Sequence, residues 1–131
     1  MKRANLKRLG DRELDIMQAL WGLKSATVAD VHQALNQQGE AVAYTTVQTM
    51  LNRLEKKGYV ARDNKDRAHS YYPVYQRPKA VKGAVKELAN RFFQGSVEAL
   101  AAHLVESNLT SKQLDRIKSI IDEHEQKGKS K

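Results

Sequence analysis

The sequence predicts a mostly α-helical fold with one small β-hairpin, and three observations support this prediction. Apolar residues recur at helical spacing along most of the chain. The period changes to two only between about residues 59 and 74, which indicates two short strands. With 131 residues, 40% of them apolar, the chain is long enough for one domain, or for a small domain with an appendage.

Two helices are predicted before residue 40. Gly10 and Glu13 mark the start of the first helix as N-cap and N3 residues, and Thr27 and Asp30 mark the start of the second in the same way. Gly22 and Gly39 are placed to end these helices. Their apolar stripes are Leu14, Met17, Leu20 and Trp21 in the first helix, and Val28, Val31 and Leu35 in the second.

A third helix is predicted from about residue 44 to residue 57, with Gly58 as its C-cap glycine. Ala43 is a poor N-cap, so amides at the start of this helix are free to bind a phosphate. The following hairpin, which we call the wing, has predicted strands at 59–62 and 68–74 and a charged tip at 63–67. Its adjacent tyrosines, Tyr71 and Tyr72, should face opposite sides of the strand.

The chain is predicted to return to helix after Pro78, with further helix starts at Ser96 and at Thr110 with Gln113. We therefore divide it into a DNA-binding domain at 1–77, a three-helix dimerisation region at 78–126 and a disordered tail at 127–131. The three helices carry narrow apolar stripes that are too small to fold alone, which favours a core shared by two copies. The predicted dimerisation residues are Val85, Leu88, Phe92, Leu100, Leu104, Leu114, Ile117 and Ile121.

Three helices followed by a hairpin are the order of a winged helix-turn-helix, in which the third helix enters the DNA major groove. The predicted third helix has no acid from Tyr44 to Arg53, as expected of a surface that approaches phosphates. Hydroxyl, amide and guanidinium groups on it suit base edges, and the basic residues near its end and in the wing suit phosphates. The predicted DNA-binding residues are Tyr44, Thr45, Gln48, Thr49, Asn52, Arg53, Lys56, Lys57, Lys65 and Arg67.

The charge and the composition bound the other functions. Lys and Arg number 23 against 15 Asp and Glu, a net charge of +8 that suggests a polyanionic partner. The absence of cysteine excludes disulfide scaffolds and thiolate metal sites. Four scattered histidines and no catalytic motif argue against a metal, a cofactor or an enzyme. No apolar run is long enough to cross a membrane, and we expect a cytoplasmic protein.

Two other binding functions stay open at this point. A winged helix can serve as a protein-interaction module, which would favour acidic or apolar residues on the exposed side of the third helix. A structure-specific RNA or single-strand binder could use the wing tyrosines, Tyr71, Tyr72 and Tyr75, for stacking on bases. The basic N-terminal residues either enter a minor groove or lie in solvent, and we favour solvent.

The sequence also resembles the BlaI/MecI/CopY family, the bacterial penicillinase, methicillin-resistance and copper-homeostasis repressors. The resemblance rests on residues 14–21, on 43–58 (AYTTVQTMLNRLEKKG) and on 67–73 (RAHSYYP), and it extends to about residue 123. It implies a homodimeric repressor that binds a palindromic operator in double-stranded DNA. The residues that it places against the DNA are Thr45, Thr46, Gln48, Thr49 and Arg53.

Two departures from the family concern induction. Copper-responsive members carry a C-terminal cysteine cluster, which is absent here. In β-lactam-responsive members a membrane sensor triggers cleavage of an Asn-Phe bond, and the corresponding pair here is His103-Leu104. Induction through a sensor or protease pathway is therefore in doubt.

Overall fold

A computed structural model describes residues 9–39, 41–65 and 69–129, with six helices and one two-stranded antiparallel sheet in these ranges. The helices are α1 (Asp11–Leu23), α2 (Val28–Gln37), α3 (Tyr44–Lys56), α4 (Arg77–Phe93), α5 (Val97–Glu106) and α6 (Ser111–Lys129). The strands are β1 (Val60–Asp63) and β2 (Ser70–Pro73). The mostly α fold with a small β-hairpin, and the order of a winged helix-turn-helix followed by three helices, are confirmed.

The predicted helix starts are present. The Thr27 hydroxyl accepts a hydrogen bond from the Asp30 amide, and the Asp30 carboxylate accepts one from the Thr27 amide, both at 3.1 Å. The Ser96 hydroxyl accepts one from the Ala99 amide at 3.0 Å. In α1 the Glu13 carboxylate accepts a hydrogen bond from the Gly10 amide at 2.9 Å. These local bonds position each helix start independently of the rest of the chain.

The end of α3 is fixed by Gly58. The Tyr59 amide donates to the Leu54 carbonyl and the Gly58 amide donates to the Glu55 carbonyl, both at 3.0 Å. Gly58 has a φ of +85°, so the pair of bonds forms a Schellman motif around a left-handed residue. The motif turns the chain directly from α3 into β1.

The wing is a short antiparallel pair with Val60 opposite Pro73 and Asp63 opposite Ser70. Tyr71 is buried and Tyr72 is exposed, as the alternation of a strand requires. Ala26, between α1 and α2, exchanges both backbone hydrogen bonds with Tyr71 at 2.9 and 2.7 Å, so a third short segment pairs with the wing. This bridge ties the wing to the helices.

The structure divides into two compact units, one through Ala84 and one from Val85. The boundary falls within α4, later than the predicted boundary after residue 77. The first part of α4, which begins at Arg77, belongs to the first unit, and a Cβ added at Gly83 would lie 3.7 Å from the Tyr75 hydroxyl. The core of the first unit lies between α1, α2, α3 and the wing. Its fully buried large side chains are Ile16, Met17, Leu20, Val31, Leu35, Val47, Leu51 and Leu54.

In α1 the buried stripe differs from the predicted one. Ile16 is fully buried, whereas Leu14 is exposed and Trp21 is half-buried. The buried stripe begins at Glu13, whose charge is paired with Lys57, and the apolar spacing could not indicate a charged residue as part of it.

The second unit has little core of its own. Of its described side chains only Ala89 and Leu100 are buried, while many large apolar side chains of α4, α5 and α6 are exposed. In α6 the helix continues through 127–129, which corrects our prediction of a disordered tail from residue 127. The polar residues before this point favour helix, and Gly128 does not adopt the positive φ that would end it.

Candidate nucleic-acid interface

The outer face of α3 is a polar, solvent-exposed surface of the first unit. Its inward side chains, Val47, Leu51 and Leu54, are buried in the core. The opposite side therefore points into solvent, and each predicted DNA-binding residue within the helix is exposed. We define this outer face as Tyr44, Thr45, Thr46, Gln48, Thr49, Asn52, Arg53 and Lys56.

The N-terminal end of this face carries partial positive charge. No side chain of Ala43 caps the helix, and the first turn contains no acid. The Tyr44 ring makes an edge contact with His32 of α2, with ring centroids 5.7 Å apart, which places it beside the helix start. An uncapped helix N-terminus flanked by hydroxyl groups suits a phosphate oxygen of a bound nucleic acid.

At the other end of α3, Lys57 is engaged within the domain. Its Nζ lies 2.8 Å from Oε2 of Glu13, whose side chain is only 7% exposed. Burial alone would raise the pKa of Glu13, but the hydrogen bonds from Lys57 and the Gly10 amide, with the charges of Lys57 and Arg53, hold this pKa below its usual value. Glu13 is therefore ionised at neutral pH and neutralises Lys57, although we predicted that Lys57 binds phosphate.

The wing is joined to α3 through Arg62, a residue that the sequence did not single out. Its guanidinium donates to the Glu55 carboxylate at 2.9 Å and to Oδ1 of Asn52 at 3.4 Å, and it lies 5.3 Å from the centre of the Tyr71 ring. The Tyr71 hydroxyl donates to the same Asn52 oxygen at 3.3 Å. The Glu55 hydrogen bond raises the pKa of Arg62 further, so this cation is permanent.

This network affects two predicted features. Glu55 is the first acid after the acid-free stretch, and Arg62 neutralises it. Asn52 keeps an exposed side chain, but its carbonyl oxygen is occupied by the wing, which leaves its amide NH₂ as the group available to a base. The signal for Arg62 was absent from the sequence because it depends on the register of β1 against α3.

The tip of the wing is partly described. Lys65 is exposed, and its amide donates to the Asp63 carboxylate at 3.1 Å, which folds the turn. Arg67 lies outside the described residues. Of the three wing tyrosines, Tyr71 is buried and Tyr75 stacks on Tyr59 with ring centroids 4.9 Å apart. Only Tyr72 among them presents an exposed ring, which disfavours a stacking platform for single strands.

The predicted dimerisation residues lie in the second unit or at its start. Most of them are strongly exposed, and Phe92 is 68% exposed. Leu100 is buried, while Leu114 and Ile117 are half-buried. The exposed members of the predicted set are Val85, Leu88, Phe92, Leu104 and Ile121.

The described part of the chain contains no group of three or more histidine, aspartate or glutamate side chains placed to hold a metal ion. None of its helices combines the length and the apolar character that crossing a membrane requires.

Comparison with known proteins identifies relatives. Residues 9–123 match the family described as penicillinase repressor. The sequence is 45% identical over 105 residues to the transcriptional regulator BlaI of Mycobacterium tuberculosis, covering 79% of this chain and 75% of that protein. It is 25% identical over 125 residues to the penicillinase repressor of Bacillus licheniformis, covering 95% of this chain and 97% of that protein.

Two solved structures are similar in fold. The solution structure of the DNA-binding domain of the repressor BlaI matches with a TM-score of 0.51 and 29% identity, covering 60% of this chain and 93% of that chain. The structure of the hsRosR-S4 complex matches with a TM-score of 0.56 and 17% identity, covering 93% of this chain and 94% of that chain. The second match shows likeness of fold alone.

Proposed function

Because the chain belongs to the penicillinase repressor family, we propose that it is a transcriptional repressor that binds a palindromic DNA operator as a homodimer. The family is one of repressors and not of enzymes. The outer face of α3 supports the choice of contacting residues, and the exposed apolar side chains of the second unit support the dimer and the symmetric operator.

The observation that carries the proposal is the outer face of α3. It is exposed, has no carboxylate between Tyr44 and Arg53, and is followed by an acid, Glu55, that Arg62 neutralises. A helix about 12 Å across fits the major groove of B-DNA, and phosphates on both sides of the groove would repel unpaired carboxylates. A protein-interaction module has no such requirement, so this face favours DNA over a protein partner.

The outer face divides by chemistry into two roles. Gln48 and Arg53 carry the groups that bond bidentately to adenine and to guanine, while the methyl groups of Thr45 and Thr49 suit thymine. Tyr44, Thr46, Lys56, Lys65 and Arg67 are proposed to contact phosphates. Asn52 contributes its amide NH₂, and Lys57, which is paired with Glu13, contributes least.

The exposed apolar side chains of the second unit support a dimer. Monomeric soluble domains rarely leave a series such as Val85, Leu88 and Phe92 in solvent along one helix. A second copy would cover these side chains by two-fold symmetry and give the repressor two reading helices. Two half-sites about one or two helical turns apart would then be read together, which raises specificity beyond what one winged domain provides.

The experiment is selection of bound duplexes by the full-length protein from a random pool. We expect a two-fold symmetric consensus, and an asymmetric consensus or none would contradict the proposal. On the selected operator, Arg53→Ala should weaken binding by about 1–3 kcal/mol and relax specificity at one position of each half-site.

The matched control is Arg116→Ala, which removes the same charge from an exposed position of α6. It should leave the consensus unchanged. Equal effects of the two substitutions would show that Arg53 contributes only net charge and makes no base contact.

A further inference from the structure

A cleft of about 400 Å³ lies in the first unit, away from the outer face of α3. It is formed by the C-terminal end of α1, the end of β2 and the first turn of α4. Its volume is within the range of sites for small organic molecules. The cleft is lined by Trp21, Lys24, Tyr72, Pro73, Gln76, Arg77 and Pro78.

The charge of the cleft is entirely positive. Lys24 and Arg77 line it, and no carboxylate does. Within the described ranges neither cation forms an ion pair, whereas Lys57 and Arg62 of the same unit are each paired with an acid. Two unpaired cations at one cleft favour an anionic ligand. Each cation would exchange a hydrogen bond to water for a stronger, charge-assisted hydrogen bond to a carboxylate oxygen.

Apart from the Gln76 amide, the uncharged walls are apolar. The Trp21 indole is held in place because its N–H donates to the Tyr75 carbonyl at 2.9 Å. The Tyr72 side chain is 42% exposed, and two prolines also line the cleft. Aromatic and proline faces of this kind suit a planar ring, which would bury its apolar surface against them.

The backbone at Lys24 is unusual. Lys24 has a φ of +73° and a ψ of −35°, a conformation that side-chain-bearing residues rarely adopt and that glycine adopts freely. This residue is a lysine that caps the C-terminal end of α1 and lines the cleft. Strained backbone conformations cluster at functional sites, where the position of a particular side chain outweighs the energetic cost of the strain.

We propose that this cleft binds a small aromatic carboxylate, with its carboxylate at Lys24 and Arg77 and its ring against Trp21 and Tyr72. The proposal concerns a second site and does not depend on DNA binding at α3. Because Arg77 begins α4, such a ligand would link α1, β2 and the first turn of α4. Any effect on operator affinity rests on the proposed function, so the test reads binding at the cleft directly.

The test uses the single tryptophan of the chain. The full-length ¹⁵N-labelled protein gives one indole N–H signal, from Trp21, which lies on the cleft. Titration with naphthalene-2-carboxylate should shift this signal in a saturable manner. The uncharged isostere naphthalene-2-carboxamide should bind about tenfold more weakly, because two exposed ion pairs together contribute on that order.

The variant Lys24→Gln/Arg77→Gln should also bind naphthalene-2-carboxylate about tenfold more weakly than the wild type. Its control is Lys79→Gln/Lys82→Gln, which removes two exposed charges of α4 that do not line the cleft, and which should bind within about twofold of the wild type. Circular dichroism verifies that both variants are folded.

Two results would overturn the proposal. One is the absence of a saturable indole shift, and the other is equal affinity for the carboxylate and the carboxamide. If the first result comes with a loss of duplex affinity in the Lys24→Gln/Arg77→Gln variant, these cations are phosphate contacts instead. The proposed repressor function would survive each of these results.

Discussion

Replacing Glu13 with glutamine tests how α1 holds the end of α3. The Glu13 carboxylate bonds to Lys57 at 2.8 Å through one oxygen and accepts the Gly10 amide at 2.9 Å through the other. Glutamine keeps the size of the side chain and an oxygen for Gly10, but it removes the charge. A hydrogen bond to a charged group contributes about 1.5–3 kcal/mol. Because Lys57 is 42% exposed and partly screened by water, we expect a loss of about 1 kcal/mol.

The effect of Glu13→Gln should depend on pH. The pKa of Glu13 in the folded protein is lowered, since the hydrogen bonds and charges of its cationic partners outweigh burial. Its charge therefore stabilises the fold above the unfolded pKa, about 4.3, and this contribution is lost as the pH falls through the folded pKa. The difference between wild type and variant should be constant from pH 7 to about pH 5 and should shrink below about pH 4.

Urea unfolding followed by Trp21 fluorescence measures this difference in the unit that contains the pair. The control is Asp15→Asn, which removes a carboxylate that pairs with Arg12 at 3.5 Å on the exposed side of the same helix. It should change stability by at most about 0.5 kcal/mol. A Glu13→Gln effect that is independent of pH, or no larger than that of Asp15→Asn, would refute the reasoning.

Three further predictions concern the turn, the wing and the dimer. Gly58→Ala should cost about 1–2 kcal/mol of folding free energy, because alanine disfavours a φ of +85°. No atom obstructs the new Cβ, so this conformational cost is the whole effect, and unchanged urea unfolding would contradict it. Lys65→Ala should weaken all duplexes alike and lower the slope of log affinity against log salt by about one, whereas an altered sequence preference would show that the wing reads bases. Phe92→Glu should shift sedimentation towards the monomer, while Ser119→Glu, away from the apolar stripe of α6, should leave it unchanged. If Phe92→Glu also stays dimeric, Phe92 does not lie in the dimer interface.

The features that the sequence predicted well are local. Thr27 with Asp30, and Thr110 with Gln113, lie within one helical turn of each other, so the spacing alone places their reciprocal hydrogen bonds. The same holds for Gly58, since a glycine after the last apolar residue of a helix supplies the left-handed conformation. The exposed face of α3 followed from periodicity because Val47, Leu51 and Leu54 define the opposite side.

The features that the sequence missed join residues far apart in the chain. Glu13 and Lys57 are 44 positions apart, and nothing in either segment marks the other as its partner. Arg62 reaches Asn52 and Glu55 only because of the angle at which Gly58 turns the chain into β1. The pairing of Ala26 with Tyr71 was also missed, because a single backbone bridge has no periodic pattern.

Lys56 and Lys57 show how such a partner changes the meaning of a charge. Adjacent residues of a helix point about 100° apart, so Lys56 stays on the outer face while Lys57 turns towards α1 and meets Glu13. A basic cluster in a sequence therefore overstates the charge that reaches an external phosphate, because internal acids neutralise part of it. In Glu13→Gln the Lys57 charge becomes available beside Arg53 and Lys56, so the variant should bind non-specific duplex DNA more tightly although it folds less stably.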